Sequence, residues 1–128
     1  MRLMLDTHAF IWLDEAPEKL SDKALAACRD ATNTLHLSLA SLWEMQIKIK
    51  TGKLALQDPL EGLIRRHQSQ NGLTLETIDL PDILFLDTLP LHHRDPFDRM
   101  IIAQTMQRGF HVVTVDEQFA AYGVPLFW

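Results

Sequence analysis

The stretch HVVTVD at residues 111–116 is the clearest strand in the chain, because apolar residues follow one another until an acid ends the run. The stretch LMLD at residues 3–6 has the same form and also ends at an acid. Strands that are buried on both faces of a parallel sheet carry such continuous apolar runs. The two stretches therefore predict buried parallel strands, ending near Asp6 and Asp116.

Working outward, helix signals separate these strands from others. Ser21 and Ser38 are suitable N-caps, Pro59 and Pro96 suit a first helical position, and Gly52 suits a helix end. Further strands are predicted over 35–37, 75–78 and 124–127, and helices near 8–13, 21–28, 39–50, 58–71, 81–89 and 95–109. The alternation predicts an α/β fold with a central, mainly parallel sheet between two helical layers, as a single domain over residues 1–128.

The composition is that of an ordinary globular protein, with 47% hydrophobic and 23% charged residues among 128. No apolar run approaches the ~18 residues that indicate a membrane span. Cys28 is the only cysteine, so no internal disulfide can form, and we expect a reducing, cytoplasmic location. The net charge of −5 does not indicate a general nucleic-acid binder, although basic residues cluster at 48–53, 65–67 and 92–94.

Two acids follow predicted strands. Ligands of open parallel sheets bind beyond the carboxyl ends of the strands, where Asp6 and Asp116 are expected. The alternative is structural, because aspartate is also common in turns and at helix N-caps.

A third acid, Glu44, lies inside the predicted helix 39–50. Its apolar stripe is expected to consist of Leu39, Leu42, Trp43 and Ile47. Ser41, Glu44 and Lys48 then fall on another face. Glu44 could form a solvated i,i+4 pair with Lys48, or a capping box with Ser41, without any function.

The segment DPFDR at residues 95–99 also has two interpretations. Asp95 could be an N-cap and Asp98 an acid favoured by the helix dipole. However, the following MIIA at 100–103 is apolar all round, which predicts that Asp98 lies near the core.

If these acids meet, they need a cation. Two carboxylates ~5 Å apart repel by roughly 3 kcal/mol at an effective dielectric of ~20. Hard oxygen ligands select magnesium or manganese, and such a site can activate water for phosphodiester hydrolysis.

Several stretches together resemble PIN domains of the VapC type. They are LDTHAFIW at 5–12, SLASLWEM at 38–45, IKIKTGKL at 47–54, HRDPFDRMIIAQ at 93–104 and VTVDEQF at 113–119. Each is weak alone, but they follow one another in the family's order along the whole chain, and the combination is specific.

The resemblance implies a PIN fold with an acidic quartet that holds one or two Mg²⁺ or Mn²⁺ ions. By position the quartet is Asp6, Glu44, Asp98 and Asp116. Asp95 belongs to a subgroup pattern, as a cap, a supporting group or an extra ligand, and Thr7 and Thr114 would support the ligands. Such proteins are typically homodimeric endoribonuclease toxins that cut transfer or ribosomal RNA, and a partner antitoxin blocks their site.

Cations beside the acids are candidates for RNA contact, because backbone binding needs positive charge. They are Lys48, Lys50, Lys53, Arg94 and Arg99. The lysines could instead form a solvated helix face, and Arg99 could pair with a site acid. His92 and His93 diverge as neighbours, which makes a joint zinc site improbable.

Apolar candidates for the dimer interface are less specific. Trp12, Trp43 and Trp128 are expected in the core or in a dimer interface rather than stacking on bases. The segment 83–86 is a candidate dimer face or simply core.

Two other functions compete with the nuclease. A catalytically silent PIN-like scaffold for protein or RNA would not need four intact acids. A response-regulator receiver should pair acids at its first strand and carry a lysine after its last, whereas Thr7 follows Asp6 and Glu117 follows Asp116.

Overall fold

A five-stranded parallel sheet forms the centre of the protein, in a computed structural model that describes residues 1–128. Its strands are β1 (Arg2–Leu5), β2 (Thr34–Ser38), β3 (Thr74–Glu76), β4 (His111–Val113) and β5 (Leu126–Phe127). They are arranged in the order β3-β2-β1-β4-β5, and every neighbouring pair is parallel. The α/β fold predicted from the sequence is confirmed.

Six α-helices connect the strands. They are α1 (Thr7–Glu15), α2 (Asp22–Arg29), α3 (Leu39–Lys50), α4 (Leu60–Asn71), α5 (Leu80–Phe85) and α6 (Pro96–Arg108). The Ser21 and Ser38 side chains cap α2 and α3 as predicted, each accepting a backbone N–H of the first turn. Gly109 ends α6 with φ at 70°, a left-handed conformation that glycine adopts without steric cost.

Apolar side chains fill both faces of the sheet. Leu3 and Leu5 point into a core shared with helices α1 to α4, while Met4 points into a second core that contains apolar residues of α6. Val113 and Val112 divide between the two cores in the same way. Because successive strand residues face opposite sides, this distribution produces the three predicted layers.

Some element boundaries differ from the predictions. Strand β4 ends at Val113, and the predicted helix 81–89 becomes α5 followed by a 3₁₀ turn at Leu86–Thr88. Beyond Val113 the Thr114 hydroxyl accepts the Asp116 N–H at 3.0 Å, which bends the chain away from the sheet. The sheet therefore ends just before the candidate site residues Thr114 and Asp116.

The face assigned to α3 was wrong. Trp43 is 62% exposed and Ile47 is 41% exposed, whereas Ser41, Glu44 and Met45 are buried. A polar stripe therefore faces the interior, because it packs against the start of α1, where Thr7 provides a polar partner.

No helix combines the length and the apolarity that crossing a lipid bilayer requires.

Candidate active site

Asp6 and Thr114 lie side by side at the centre of the sheet. Strands β1 and β4 pair Leu5 with Val113, so the residues that follow them occupy neighbouring positions. The Thr114 hydroxyl donates to Asp6 Oδ2, and the other oxygen, Oδ1, accepts the Ala9 N–H at 2.6 Å. Strand β1 lies between β2 and β4, so the strand order along the chain reverses at β1. In α/β sheets, ligands bind beyond the carboxyl ends of the strands at such a reversal.

Asp116 enters the same region from the loop after β4. Its Oδ1 accepts the Gln118 N–H at 2.9 Å, which caps the following 3₁₀ helix. Asp6 likewise caps α1. Both aspartates therefore cap a helix, which is the structural role that the sequence also allowed. The capping bond of Asp116 uses only Oδ1 and leaves Oδ2 outside the cap.

Glu44 reaches the site from the buried face of α3. Its Oε1 accepts the Thr7 hydroxyl at 2.8 Å, and its Oε2 lies 2.8 Å from Lys48 Nζ. The i,i+4 pair is thus present, although Glu44 is only 5% exposed. The capping box is absent, because Ser38 caps the helix and Ser41 lies 2.9 Å from the Thr7 hydroxyl.

Asp95 and Asp98 begin α6. Asp95 Oδ1 accepts the backbone N–H groups of Phe97 at 2.8 Å and Asp98 at 3.1 Å, so Asp95 is the N-cap. Asp98 lies one turn into the helix, with its side chain largely buried. The N-cap interpretation is confirmed for Asp95, and Asp98 lies in the first turn of α6, as the helix-dipole interpretation expects.

All four quartet candidates line one pocket of about 280 Å³, with Asp95 beside them. Its lining residues are Asp6, His8, Trp12, Glu44, Lys48, Asp95, Asp98, Val115 and Asp116. A larger depression of about 490 Å³ between α3 and α4 carries one acid, Glu61, which is ion-paired with Arg65. We place the chemistry in the smaller pocket because five carboxylates converge there.

Two carboxylates of the pocket, those of Asp6 and Asp98, are under electrostatic strain. Burial raises the pKa of Asp6, against hydrogen bonds from Thr114 and Ala9 that lower it. Burial raises the pKa of Asp98 to about 7, with a further contribution from the negative charge of Asp95. A bound cation would relieve this strain, because it favours the ionised forms.

His93 is part of the site and was not among the predicted site residues. Its Nε2 lies 2.8 Å from Asp98 Oδ2 and 3.7 Å from Asp116 Oδ2. Potential ligand atoms of these three residues all lie within 4.8 Å of one another. His92 instead packs its ring against Tyr122. Because we considered the two histidines only as a joint zinc pair, the contacts of His93 with Asp98 and Asp116 were missed.

The predicted RNA-contact residues separate into two groups. Lys48 lines the pocket, whereas Lys50, Lys53 and Arg94 are exposed outside its lining. The Arg99 guanidinium instead donates to the carbonyl oxygens of Leu86, Leu89, Pro90 and His93 and to the Tyr122 hydroxyl. These bonds occupy both terminal nitrogens of Arg99 and direct them towards the loop before α6 rather than towards the pocket. Arg99 does not pair with a site acid.

The tryptophans are partly exposed. Trp12 packs edge-on against Trp128 at a centroid distance of 6.2 Å and also borders the pocket. Trp43 packs edge-on against Phe97 at 5.3 Å and stays mostly exposed. Trp43 is therefore not a core residue.

The donor set fits a hard divalent cation. The pocket offers carboxylate oxygens, which Mg²⁺ and Mn²⁺ prefer, and only Lys48 as a permanent positive charge. Of the four candidate ligands, Asp98 and Asp116 already lie at ligand spacing, together with His93. Asp6 and Glu44 line the same pocket outside that group, and they would complete the set of oxygen ligands.

Comparisons with solved structures place the fold. VapBC2 from Rickettsia felis, bound to a DNA fragment from its promoter, aligns with a TM-score of 0.71 at 15% identity, covering 98% of this chain and 96% of that one. FitAcB from Neisseria gonorrhoeae aligns at 0.64 and 18% identity, covering 98% and 96%. A domain of a functionally unknown protein from Methanocaldococcus jannaschii aligns at 0.60 and 18%, covering 99% and 89%.

Sequence comparisons agree with the structural ones. The PIN domain family model matches residues 3–125. No curated protein matches the chain.

Proposed function

The chain belongs to the PIN domain family, and from this membership we propose that it is a Mg²⁺- or Mn²⁺-dependent endoribonuclease and the toxin of a toxin–antitoxin pair. PIN domains are generally nucleases. The proposal includes a cytoplasmic location and a single domain over residues 1–128.

The convergence of acids carries the proposal. Asp6, Glu44, Asp98 and Asp116 come from four separate segments and line one pocket of about 280 Å³. Like charges gathered in one pocket repel one another, and two carboxylates ~5 Å apart would do so by roughly 3 kcal/mol at an effective dielectric of ~20. A purely structural role would not require this arrangement.

A bound divalent ion would supply an activated water and charge stabilisation at the scissile phosphate. The chain itself orients the ligands. Thr114 and the Ala9 N–H fix both oxygens of Asp6, and Thr7 fixes Glu44. Lys48 offsets part of the negative charge where an RNA backbone would approach. Lys50, Lys53 and Arg94 are more distant candidates for phosphate contact.

An antitoxin partner is proposed from the fold neighbours. Two of the aligned structures, VapBC2 and FitAcB, are toxin–antitoxin assemblies. An acidic pocket with a single lysine suits a basic side chain from a partner's tail, which would occupy the place of the cation or the substrate.

A homodimer is proposed from exposed apolar side chains. Trp43 and Ile47 on α3, and Ile83 and Leu84 on α5, are each more than 40% exposed. Helices α3 and α5 both pack against α6, so the exposed apolar side chains belong to the two helices that flank α6. Within the segment 83–86, Phe85 and Leu86 pack against the core. The dimer-interface prediction is therefore retained only for Ile83 and Leu84.

The test is cleavage of total transfer and ribosomal RNA by partner-free protein, with Mg²⁺ and with excess chelator. Asp6→Asn and Asp98→Asn would be compared with Glu117→Gln, which removes an exposed charge beside Asp116 but outside the pocket. We expect discrete fragments that disappear with chelator and with both pocket variants, and that persist with the control.

Two other results would contradict the proposal. Cleavage that survives both pocket variants would place the activity elsewhere or in a contaminant. Folded protein that neither cuts RNA nor binds Mn²⁺ would favour the catalytically silent scaffold.

A further inference from the structure

The hydrogen bonds of the His93 ring with Asp95 and Asp98 determine which ring nitrogen carries the hydrogen. Nδ1 accepts the Asp95 N–H at 3.3 Å, so Nδ1 must be unprotonated. In a neutral imidazole the hydrogen then lies on Nε2. Nε2 therefore donates to Asp98 Oδ2, at 2.8 Å.

The loop that carries His93 is held by a separate set of bonds, which we call the Arg99–Tyr122 clasp. Arg99 Nη1 donates to Pro90 O at 2.8 Å and to the Tyr122 hydroxyl at 3.1 Å. The same hydroxyl accepts the His93 N–H at 2.8 Å. Arg99 Nη2 reaches the carbonyl oxygens of Leu86 and Leu89, at 3.2 and 3.3 Å.

The clasp explains why an arginine directly follows Asp98. Residues 86–93 contain only a short 3₁₀ turn, at Leu86–Thr88, so the backbone there has few hydrogen bonds of its own. Several N–H donors on a rigid guanidinium can fix such a segment in one geometry. The imidazole is held in addition by an edge contact with Phe119, at a centroid distance of 6.5 Å.

We propose that His93 is a positioning residue, which holds Asp98 Oδ2 through its Nε2–H and so leaves Oδ1 of the same carboxylate to bind a cation. The inference rests on the proposed function. Side chains that orient metal ligands typically change metal affinity 10- to 100-fold when they are removed.

Direct ligation by His93 is the competing possibility, because its Nε2 also lies 3.7 Å from Asp116 Oδ2. A ligating Nε2 would have to lose its hydrogen, and Nδ1 would then carry one. That hydrogen would face the Asp95 N–H, which is itself a donor. The geometry therefore favours the positioning role.

Two substitutions separate the contacts of the ring. His93→Asn places an amide oxygen near Nδ1 and keeps an acceptor for the Asp95 N–H, but it is too short to reach Asp98. His93→Gln places an amide N–H near Nε2 and keeps the donor to Asp98. His92→Phe serves as the control, because it removes the neighbouring imidazole, which is exposed and lies outside the pocket lining, and keeps an aromatic ring against Tyr122.

The readout is Mn²⁺ binding to the full chain without RNA, by calorimetry, together with pulsed electron paramagnetic resonance and thermal unfolding. We expect binding to be about 10- to 100-fold weaker in His93→Asn, and close to the parent in His93→Gln and His92→Phe. All proteins should unfold at similar temperatures, and no directly bound nitrogen should appear in the Mn²⁺ spectrum.

Four outcomes would overturn the inference. Unchanged binding in His93→Asn would remove the positioning role and leave the nuclease proposal intact. Equal weakening in His93→Asn and His93→Gln would reduce His93 to a loop support. A directly bound nitrogen that disappears in His93→Gln would make His93 a ligand. Absence of Mn²⁺ binding in the parent protein would overturn this inference and the proposed function together.

Discussion

The Thr114 hydroxyl donates to Asp6 Oδ2, and it joins the first proposed ligand of the chain to the last. The same hydroxyl accepts the Asp116 N–H at 3.0 Å. Thr114 and Asp6 are both buried, so water cannot replace this bond. One small side chain thus fixes the spacing of two proposed ligands that lie 110 positions apart in the sequence.

Thr114→Val is expected to lower the free energy of unfolding of the metal-free protein by about 1–3 kcal/mol, the usual effect of a lost hydrogen bond to a charged group. It should also raise the pKa of Asp6 further, because the Thr114 bond lowers it. Mn²⁺ affinity at pH 7 should therefore fall. Urea unfolding and calorimetry test both effects, and Thr114→Ser, which keeps the hydroxyl, should restore them. Equal behaviour of the two variants would exclude the hydroxyl as the cause.

Lys48→Met should change metal and RNA binding in opposite directions. It removes the cation 2.8 Å from Glu44 Oε2, so the pocket becomes more negative and Mn²⁺ should bind a few-fold more tightly. RNA affinity should fall, because a phosphate contact is lost. Arg29→Met, at an exposed position that is outside the pocket and is not an RNA-contact candidate, provides the control. Binding titrations with Mn²⁺ and with uncleaved RNA in chelator test this, and weaker Mn²⁺ binding by Lys48→Met would contradict it.

Asp98 makes the metal-free protein less stable as the pH rises. Its pKa is raised from 3.8 to about 7, so the folded state holds this proton where the unfolded state has released it. The resulting stability is present below about pH 4 and is lost through about pH 7. At 1.36 kcal/mol per pKa unit the change is at most about 4 kcal/mol.

Asp98→Asn should therefore be more stable than the parent at pH 8 in chelator, and the difference should shrink towards pH 4. The asparagine oxygen still accepts the bond from His93. Urea midpoints at both pH values measure this, and added Mn²⁺ should reverse the order by stabilising only the parent protein. A constant difference across this range would show that burial does not raise the pKa of Asp98.

Trp43→Glu is expected to convert a dimer to a monomer. Trp43 is 62% exposed, and a charge there would be buried unpaired in an apolar interface. Light scattering after size-exclusion chromatography measures the mass, and circular dichroism controls for folding. Gln46→Glu, at an exposed position of the same helix, should leave the mass unchanged. A monomeric parent protein would contradict the dimer itself.

Regular elements could be predicted from the sequence because their signals are local. The apolar run at β1, the Ser38 cap and the glycine after α6 each act within a few residues. The face of α3 could not be derived in this way. Periodicity marked Trp43 and Ile47 as the buried stripe, but the partner of that helix is the polar residue Thr7, 37 positions before Glu44.

The candidate acids could be named but not brought together from spacing alone. Their convergence depends on the register of β1 with β4 and on the packing of α3 beside α1. His93 was missed for a related reason. Its role depends on Arg99 and Tyr122, and no pattern within the HRDPFDR stretch reveals a bond to a tyrosine 29 positions further along the chain.

The double use of Asp6, Asp95 and Asp116 as pocket acids and helix caps has a consequence for genetics. Asparagine caps helices about as well as aspartate, whereas alanine costs about 1 kcal/mol. In a selection for cells that survive expression of the protein, alanine at these positions would lower the amount of folded protein as well as its activity. Only clones with asparagine, at undiminished protein level, would report on the reaction itself.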